Sequence, residues 1–455
     1  MLPAESPIPA NNALAFTASD ELRLQSVPIT SLKAYGRKAR LHTRDQIQKL
    51  AESIRTFGFS VPILVDDDER ILAGHARLEA ARLVGMTHVP VVVLSHLNPA
   101  QKRAFILAEN RLAELAGWDR DALRVELEEI TALDIDFNVA VIGFNEAEID
   151  AIVLGGVGNG EQGNDTPEAP HLPVSAQGDL WLLGEQRLFC GDALDPSSVA
   201  RVLQGDVARV DFTDPPYNVP IAGHVTSNRS HGEFVMASGE MSDDEFIAFL
   251  ASTLDRIVEA LAPGGLAYVC MDWRHLRHVL AASEGKGLEL LNLIVWDKKT
   301  GGMGSFYRSR HELIFLMKKS GEKHTNRVEL GRNGRDRANV WAYEGVGGFG
   351  AQKAKAREMH PTVKPLALVR DAILDSTARG DVVLDLFSGS GTTLIAAHES
   401  RRRGRAIELD PKYADVAVIR WQDFSGCEAR LAETGETFLE VRNRREQAAS
   451  IQAGG

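Results

Sequence analysis

Apolar and polar positions in this chain follow two different rhythms, on either side of a stretch with almost nothing to bury. In the first part, Ile47, Leu50, Ile54 and Phe57 recur at helical spacing, and Gly58 follows as a C-cap. Residues 61–65 and 71–73 read as a strand pair across the acidic turn 66–69. Residues 74–82 open a helix and 89–94 supply another strand. After residue 177 apolar strands alternate with amphipathic helices. Strands are expected at 207–212, 266–271, 290–296, 313–317, 404–409 and just before Phe387, and helices at 246–261 and 394–400. The first of these helices is stopped by Pro263-Gly264-Gly265. Such alternation predicts an α/β unit whose mainly parallel sheet carries helices on both faces.

The expected organisation follows from these rhythms. Residues 1–20 read as a disordered tail, 21–154 as a compact domain, 178–430 as a larger one and 431–455 as a C-terminal tail. Residues 155–177, rich in Gly, Pro, Asn and acids, read as a linker. Arg401, Arg402 and Arg403 precede a strand and are expected at a solvated helix end.

The 455 residues allow two or three cored domains. Three scattered cysteines, Cys190, Cys270 and Cys427, imply neither a disulfide framework nor a metal site. No apolar run reaches transmembrane length and no secretory pattern opens the chain, so the cytoplasm is the expected location and no membrane partner is expected. The net charge of -12 would ordinarily count against nucleic acid, but its distribution changes that picture. Between Lys298 and Arg337 eleven basic side chains face four acidic ones. An insertion at about 298–358, with Lys298, Lys299, Arg308, Arg310, Arg332 and Arg335, is the expected DNA-binding surface.

Two loops carry the chemistry. Asp214-Pro215-Pro216-Tyr217 follows an expected strand, and two prolines forbid both a ladder donor and helix entry. A stiff loop therefore holds a carboxylate, a carbonyl and a ring at the carboxyl edge of the sheet, where open α/β sheets bind ligands. An acceptor pair beside a flat ring suits an exocyclic amine on a stacked base. The second loop, Asp385-Leu386-Phe387-Ser388-Gly389-Ser390-Gly391-Thr392, runs from a strand into a helix, and a further strand ends at Glu408. Glycines there permit close backbone approach, and an acid at the strand end suits ribose hydroxyls. The pattern points to an adenosine-containing cofactor; the chain has no phosphate-binding GxxxxGK[ST] sequence.

Together with Gly191-Asp192-Ala193-Leu194, Val295-Trp296-Asp297-Lys298-Lys299, His311-Glu312 and His360-Pro361-Thr362-Val363-Lys364-Pro365, these loops resemble the DNA amino-methyltransferases. The catalytic motif precedes the cofactor motif, as in the beta arrangement of that family. The resemblance implies a Rossmann-like sheet and S-adenosylmethionine as cofactor. It implies Asp214, Pro215, Pro216 and Tyr217 as catalytic residues. It also implies Asp192, Asp385, Phe387, Gly389, Gly391, Thr392, Glu408, His360, Thr362 and Lys364 around the cofactor. Adenine N6 is the expected target, because an Asp opens the loop where a Ser is commoner among cytosine-N4 enzymes. Cytosine N4 is the alternative within the class. A DNA-binding partition protein with a non-catalytic scaffold is the alternative outside it. Methylation of cytosine C5 would need a cysteine nucleophile, and none lies in a comparable loop.

The first domain resembles the N-terminal domain of ParB-type partition proteins, an α+β fold. Gly74 and Arg77 match the stretch that contacts phosphate there, but Ala76-Arg77 replaces the usual Arg-Arg pair and His75 stands where an acid is usual. Asn110 and Arg111 match a second stretch. The expected partners are double-stranded DNA, a second copy of the chain in a homodimer, and a nucleotide at the ParB-like domain.

Overall fold

The computed structural model describes residues 22–35, 40–133, 139–154, 166–167, 169–170, 172–219, 239–299, 301, 306–331, 336–345 and 363–453. The chain divides into two units, 1–149 and 150–455.

In the first unit, strands β1 (Leu24–Pro28), β2 (Lys33–Ala34), β3 (Ile63–Val65), β4 (Arg70–Ala73) and β5 (His88–Val93) form a sheet in the order β1-β5-β3-β4-β2. Helix α1 (Arg44–Phe57) begins where the Thr43 hydroxyl accepts from the Gln46 N–H and ends at Gly58, as expected from its spacing. Phe57, the last residue of the expected apolar face, is exposed; Ala51 is the buried position. Helix α2 (His75–Val84) starts from Gly74 at φ 103°, a conformation that favours glycine, and a Cβ there would meet Ile63 Cγ1 at 3.3 Å. Leu78 and Ala81 of α2 pack on Ile63, Val65, Ile71, Val89 and Val91, which form the core of this unit. Helices α3 (Pro99–Leu115), α4 (Arg120–Ala132) and α5 (Glu146–Leu154) follow in sequence.

Among the described residues the second unit builds a ten-stranded sheet. Its strands are β6 (Leu180–Leu183), β7 (Gln186–Cys190), β8 (Ala208–Thr213), β9 (Leu261–Met271), β10 (Leu288–Asp297), β11 (His311–Lys319), β12 (Val340–Ala342), β13 (Val382–Asp385), β14 (Arg403–Glu408) and β15 (Arg430–Leu431). They lie in the order β12-β10-β11-β9-β8-β13-β14-β7-β6-β15. Only β11 and β6 run against the rest, so the sheet is mainly parallel and Rossmann-like. Helices α6 (Pro196–Leu203), α7 (Asp243–Ala260) and α8 (Leu276–Ser283) bury Val202, Phe246, Leu250, Leu254 and Val279 against one face. Helices α9 (Leu366–Ser376) and α10 (Thr392–Glu399) bury Leu366, Val369, Ile373 and Ile395 against the other. From β8 the chain crosses to β9 on one side; from β13 it crosses to β14 on the other. The sheet therefore reverses its order between β8 and β13, and a crevice must open beyond their carboxyl ends.

Four sequence expectations are corrected here. The region after 430 is no tail: after α11 (Pro411–Ser425), β15 pairs with β6, and α12 (Phe438–Ala453) buries Phe438 and Val441 beside Trp181 and Trp421. The end of the expected linker is also packed, because the N–H groups of Val174 and Ser175 donate to Asp415 at 2.5 and 2.8 Å. The expected insertion at 298–358 contains β11, which lies inside the sheet between β10 and β9. Arg402 is not solvated: 2 % exposed, it donates to Asp150 at 2.8 Å, and Arg379 binds the same carboxylate at 2.6 Å. A buried acid claims cations that local sequence would leave in water.

Candidate active site

The Asp214-Pro215-Pro216-Tyr217 loop leaves the carboxyl end of β8, and Asn218 anchors its far side. Asn218, at φ 54°, donates to the Met241 carbonyl at 2.7 Å and accepts from the Gly239 and Met241 N–H groups at 3.1 Å. Nothing local in the sequence had marked this clamp. Tyr217 turns its hydroxyl onto Asp214 Oδ1 at 2.6 Å. The ring expected only to stack therefore also orients the carboxylate.

Lys364, expected around the cofactor, lines the cleft and places Nζ 2.5 Å from Asp214 Oδ2 and 3.2 Å from Glu312 Oε2. Lys298 Nζ pairs with the other oxygen of Glu312 and lies 4.8 Å from the Trp296 ring centre. Burial favours the uncharged forms of Asp214, Glu312 and Lys364, and their pairing opposes it. Burial pushes the Asp214 carboxyl up, against the pull of the Lys364 ammonium. Burial also works on Glu312, but Lys364 and Lys298 outweigh it and hold that carboxyl down at about 2. Lys364 is pulled down by burial, but the Asp214 and Glu312 carboxylates prevail and hold its ammonium charged. Burial, then the charges of Asp214 and Glu312, push the Tyr217 hydroxyl up.

A cleft of about 160 Å³ runs from this loop across β13 to the end of β14. Asp192, Asp385, Phe387, Gly389, Thr392 and Glu408 line it, as do Pro215, Pro216, Tyr217 and Lys364. Glu408 accepts the Gly389 N–H at 2.7 Å and the Asp410 N–H at 2.9 Å, tying the glycine turn to the end of β14. Burial pushes the Glu408 carboxyl up to about 8, against those two N–H groups, with the charges of Asp410 and Asp385 adding to the rise. Burial likewise pushes Asp385 up to about 7, although the Thr393 side chain and the Phe387 N–H bond it. Asp192 is exposed and accepts the Leu194 N–H at 2.9 Å. Arg420, buried on α11, braces the turn by donating to Ser390 and Thr392 hydroxyls, both at 2.9 Å. The Ser388 hydroxyl lines the cleft, buried and without a hydrogen-bond partner among the described residues.

Gly391, expected beside the cofactor, does not line the cleft. It sits at φ 80°, and a Cβ there would meet the Ala417 Cβ at 2.8 Å, so it serves the packing of α10 on α11. His360 and Thr362 lie outside the described residues, as do Arg332 and Arg335. Of the other expected DNA contacts, Lys298 belongs to the cluster above and Arg310 is held by Asp297 at 2.5 and 2.6 Å, while Lys299 and Arg308 are exposed. Glu312 and Tyr413, another lining residue, carried no expected role. Tyr413 lies three residues beyond Asp410, on the first turn of α11, which was the available signal.

The first unit holds a separate cavity of about 220 Å³ at the start of α2, lined by Tyr35, Arg40, His42, Gly74, Arg77 and Asn110 among others. Arg77 spends one nitrogen on the Val61 and Pro62 carbonyls, at 3.1 and 2.6 Å. Arg111 pairs with Glu114 at 3.0 Å and is absent from the lining.

A carboxylate-proline loop and a glycine turn at one topological switch point define a Rossmann-like group-transfer enzyme. Comparison with known proteins gives the family. Residues 209–419 match the DNA methylase family, 14–111 the ParB N-terminal domain and 121–177 the ParB-methyltransferase HTH domain. The chain is a DNA methyltransferase of the N6/N4 type carrying a ParB-like N-terminal domain, and S-adenosylmethionine is its methyl donor. The HTH match covers α4, α5 and the stretch expected to be a linker, and the sequence reading had not anticipated it. The type II methyltransferase M.HpaI of Haemophilus parainfluenzae is 26% identical over 260 residues, 54% of this chain and 77% of its own. The ParB-like nuclease domain-containing protein YnaK of Escherichia coli K12 is 41% identical over 85 residues, 19% of this chain and 98% of its own. Among solved structures, an M1.HpyAVI–SAM complex is 22% identical with a TM-score of 0.39, covering 51% of this chain and 97% of its own. The cytosine-N4-specific PvuII DNA methyltransferase is 15% identical with a TM-score of 0.41, covering 61% and 97%. No helix among the described residues is long and apolar enough to cross a membrane.

Proposed function

We propose that the chain methylates the exocyclic N6 amine of adenine in double-stranded DNA. The observation that carries this reading is the Asp214 carboxylate, held rigidly at the mouth of the cleft beside Pro215 and Tyr217. A carboxylate offers about four lone-pair sites, so Asp214 can serve Tyr217 and Lys364 and still accept an amine hydrogen. With the Pro215 carbonyl accepting the other hydrogen, the nitrogen's lone pair is drawn out of the ring and aimed into the cleft. Positioning and charge then supply most of the acceleration. Bound S-adenosylmethionine supplies an electrophilic methyl on a sulfonium. Asp214 would take the proton that the amine nitrogen loses as it accepts that methyl and the C–S electron pair stays on sulfur. A base cannot reach this loop from inside a duplex, so it must be flipped out, and the Tyr217 ring is its stacking surface.

The described residues fit the cofactor. Glu408 offers acceptors for ribose hydroxyls, Phe387 and Tyr413 offer apolar surface, and the partnerless Ser388 hydroxyl awaits a polar group. Asp385 and Gly389 would face the amino-acid end and Asp192 the adenine. Lys299 and Arg308, exposed beside the more than four-fifths exposed Phe306 and Tyr307, suit phosphate and base contacts. Mass spectrometry of nucleosides from DNA treated with enzyme and methyl-labelled cofactor is the test. N6-methyladenine is expected, and labelled N4-methylcytosine would move the target to cytosine.

A second site is favoured by the cavity at the start of α2. A helix N-terminus flanked by Arg40, His42 and Arg77 suits a nucleotide phosphate. Calorimetric titration of nucleoside triphosphates into the protein and its Arg40→Ala variant tests it, and heat from neither would remove this site.

A further inference from the structure

The charge cluster behind the catalytic loop carries a role that deepens the reading above and rests on it for the identity of Asp214. Lys364 enters this cluster from the segment just before α9, 150 positions beyond Asp214. Its side chain is 7 % exposed, and its Nζ lies 2.5 Å from Asp214, 3.2 Å from Glu312 and 3.3 Å from the Tyr217 hydroxyl. The aromatic rings of Tyr217 and Trp296 flank it, with centres 5.6 and 5.7 Å away. Glu312 is fastened in turn by Lys298 from the end of β10. A lysine stem buried this completely, with two carboxylates and two rings around its head, is not a mobile surface cation.

The amine acceptor has to be a carboxylate, because a carboxylic acid would present its own hydrogen to the amine. Nearly every group facing Asp214 pushes it toward the acid form. The loop is buried, Glu312 on β11 is a like charge, and Asp385 lies across the cleft on β13. The Cys270 thiol on β9 is held neutral by burial and offers no positive charge. The Tyr217 hydroxyl donates one hydrogen bond but carries no charge. Lys298 is spent on Glu312. Lys364 alone among these described neighbours brings a cation to Asp214.

We infer that Lys364, itself fixed by Glu312, is a positioning residue that keeps Asp214 ionised and fixes the carboxylate so that a remaining lone pair faces the amine. A merely structural lysine would slow the enzyme equally at every pH when replaced. A lysine that sets the charge of Asp214 moves the pH at which activity appears.

Single-turnover methylation of duplex DNA at saturating S-adenosylmethionine, followed from about pH 6 to pH 9.5, reads the difference. For Lys364→Met the acid limb is expected to move up by about one pH unit or more, with at least a tenfold deficit near pH 7 that narrows to a few-fold above pH 9. Lys364→Arg should keep the limb near that of the wild type. The double variant Lys364→Met/Glu312→Gln removes the like charge together with the cation and should bring the limb part of the way back. It also gives a charge-balanced protein if the single variant does not fold. A wild-type-shaped profile lowered by one factor at every pH, in whichever of these lysine-deleted proteins folds, would overturn the inference. Asp214→Asn, run alongside, keeps the two readings apart. If it were as active as wild type, Asp214 would not be the acceptor and the parent reading would fail. If it is inactive while the Lys364→Met profile stays parallel, only the inference fails.

Discussion

Cofactor affinity should rise steeply with pH, because the acid expected to take the ribose hydroxyls starts out protonated. Burial holds Glu408 at about 8 in the free protein, so near pH 7 most molecules carry the neutral acid. Hydroxyl donors favour the ionised carboxylate, and binding must therefore expel a proton. If only the ionised form binds, roughly one molecule in a hundred is competent at pH 6 and about one in two at pH 8, a gain in affinity of roughly fiftyfold. Asp385, held at about 7, adds a second and smaller dependence below that pH. Titration calorimetry of S-adenosylmethionine in two buffers of different ionisation enthalpy measures both the affinity and the protons released. Glu408→Gln should weaken binding several-fold at pH 8.5, where two acceptor bonds are impaired. It should also move the break in the profile from about 8 toward the Asp385 value of about 7. Affinity that is flat from pH 6 to 8.5, with heats independent of buffer, would refute the assignment of Glu408.

Asp214→Ala should keep cofactor affinity while single-turnover methylation falls on the order of a hundredfold, because a preorganised charged acceptor is gone; near-wild-type rates would end the case for this loop. Tyr217→Phe retains the ring but loses the 2.6 Å bond to Asp214, so the same assay should show a clear fall in rate, whereas a ring that only stacks would predict almost none. Asp211 is fully buried with no hydrogen-bond partner for either oxygen among the described residues, and burial pushes its carboxyl well above the usual range. Folded protein keeps this group protonated while the unfolded chain ionises above about pH 4, so its contribution to stability declines as pH rises. Asp211→Asn should leave the melting temperature nearly unchanged at pH 4 and raise stability by at least about 1 kcal/mol at pH 8, and an equal shift at both would count against the argument. A chain shortened to begin at Ala176 loses Asp150, the carboxylate partner of Arg402 and Arg379, and should melt well below one begun at Glu146, by about 3 kcal/mol or more. Lys299→Ala and Arg308→Ala should each reduce the salt dependence of DNA binding by about one phosphate contact, and an unchanged slope would remove that residue from the interface.

What could be read in the sequence was what neighbouring residues impose on the backbone. Two prolines after a strand dictate the loop at Asp214 whatever surrounds it, and Gly389 and Gly391 at positive φ mark the turn into α10. The alternation of strands and helices fixed the layers, and the element boundaries it suggested differ from the observed ones by a few residues. Pairing across distant strands left no local trace. Arg402 looks like one of three solvated cations until the buried Asp150 reaches it, 252 positions away. Phe438 and Val441 looked like a tail because the apolar surface they cover lies on Trp181 and Trp421. Lys364 looked like part of a cofactor motif because its partners Asp214 and Glu312 come from β8's loop and from β11. The same long-range placement explains the charge state of the cleft. Asp214, Glu312, Asp385 and Glu408 are four of the carboxyl groups at this site, and Lys364 and Lys298 pair with only the first two. Burial pushes Asp385 up to about 7 and Glu408 up to about 8 with no cation among the described residues paired to either, whereas at Asp214 the Lys364 ammonium opposes the same rise. A cleft with two such acids and no cation paired to them is matched to a ligand that brings its own positive charge and hydroxyl donors. A sulfonium with an ammonium at one end and a ribose at the other meets both demands, whereas an anionic nucleotide would bring the hydroxyls without the positive charge.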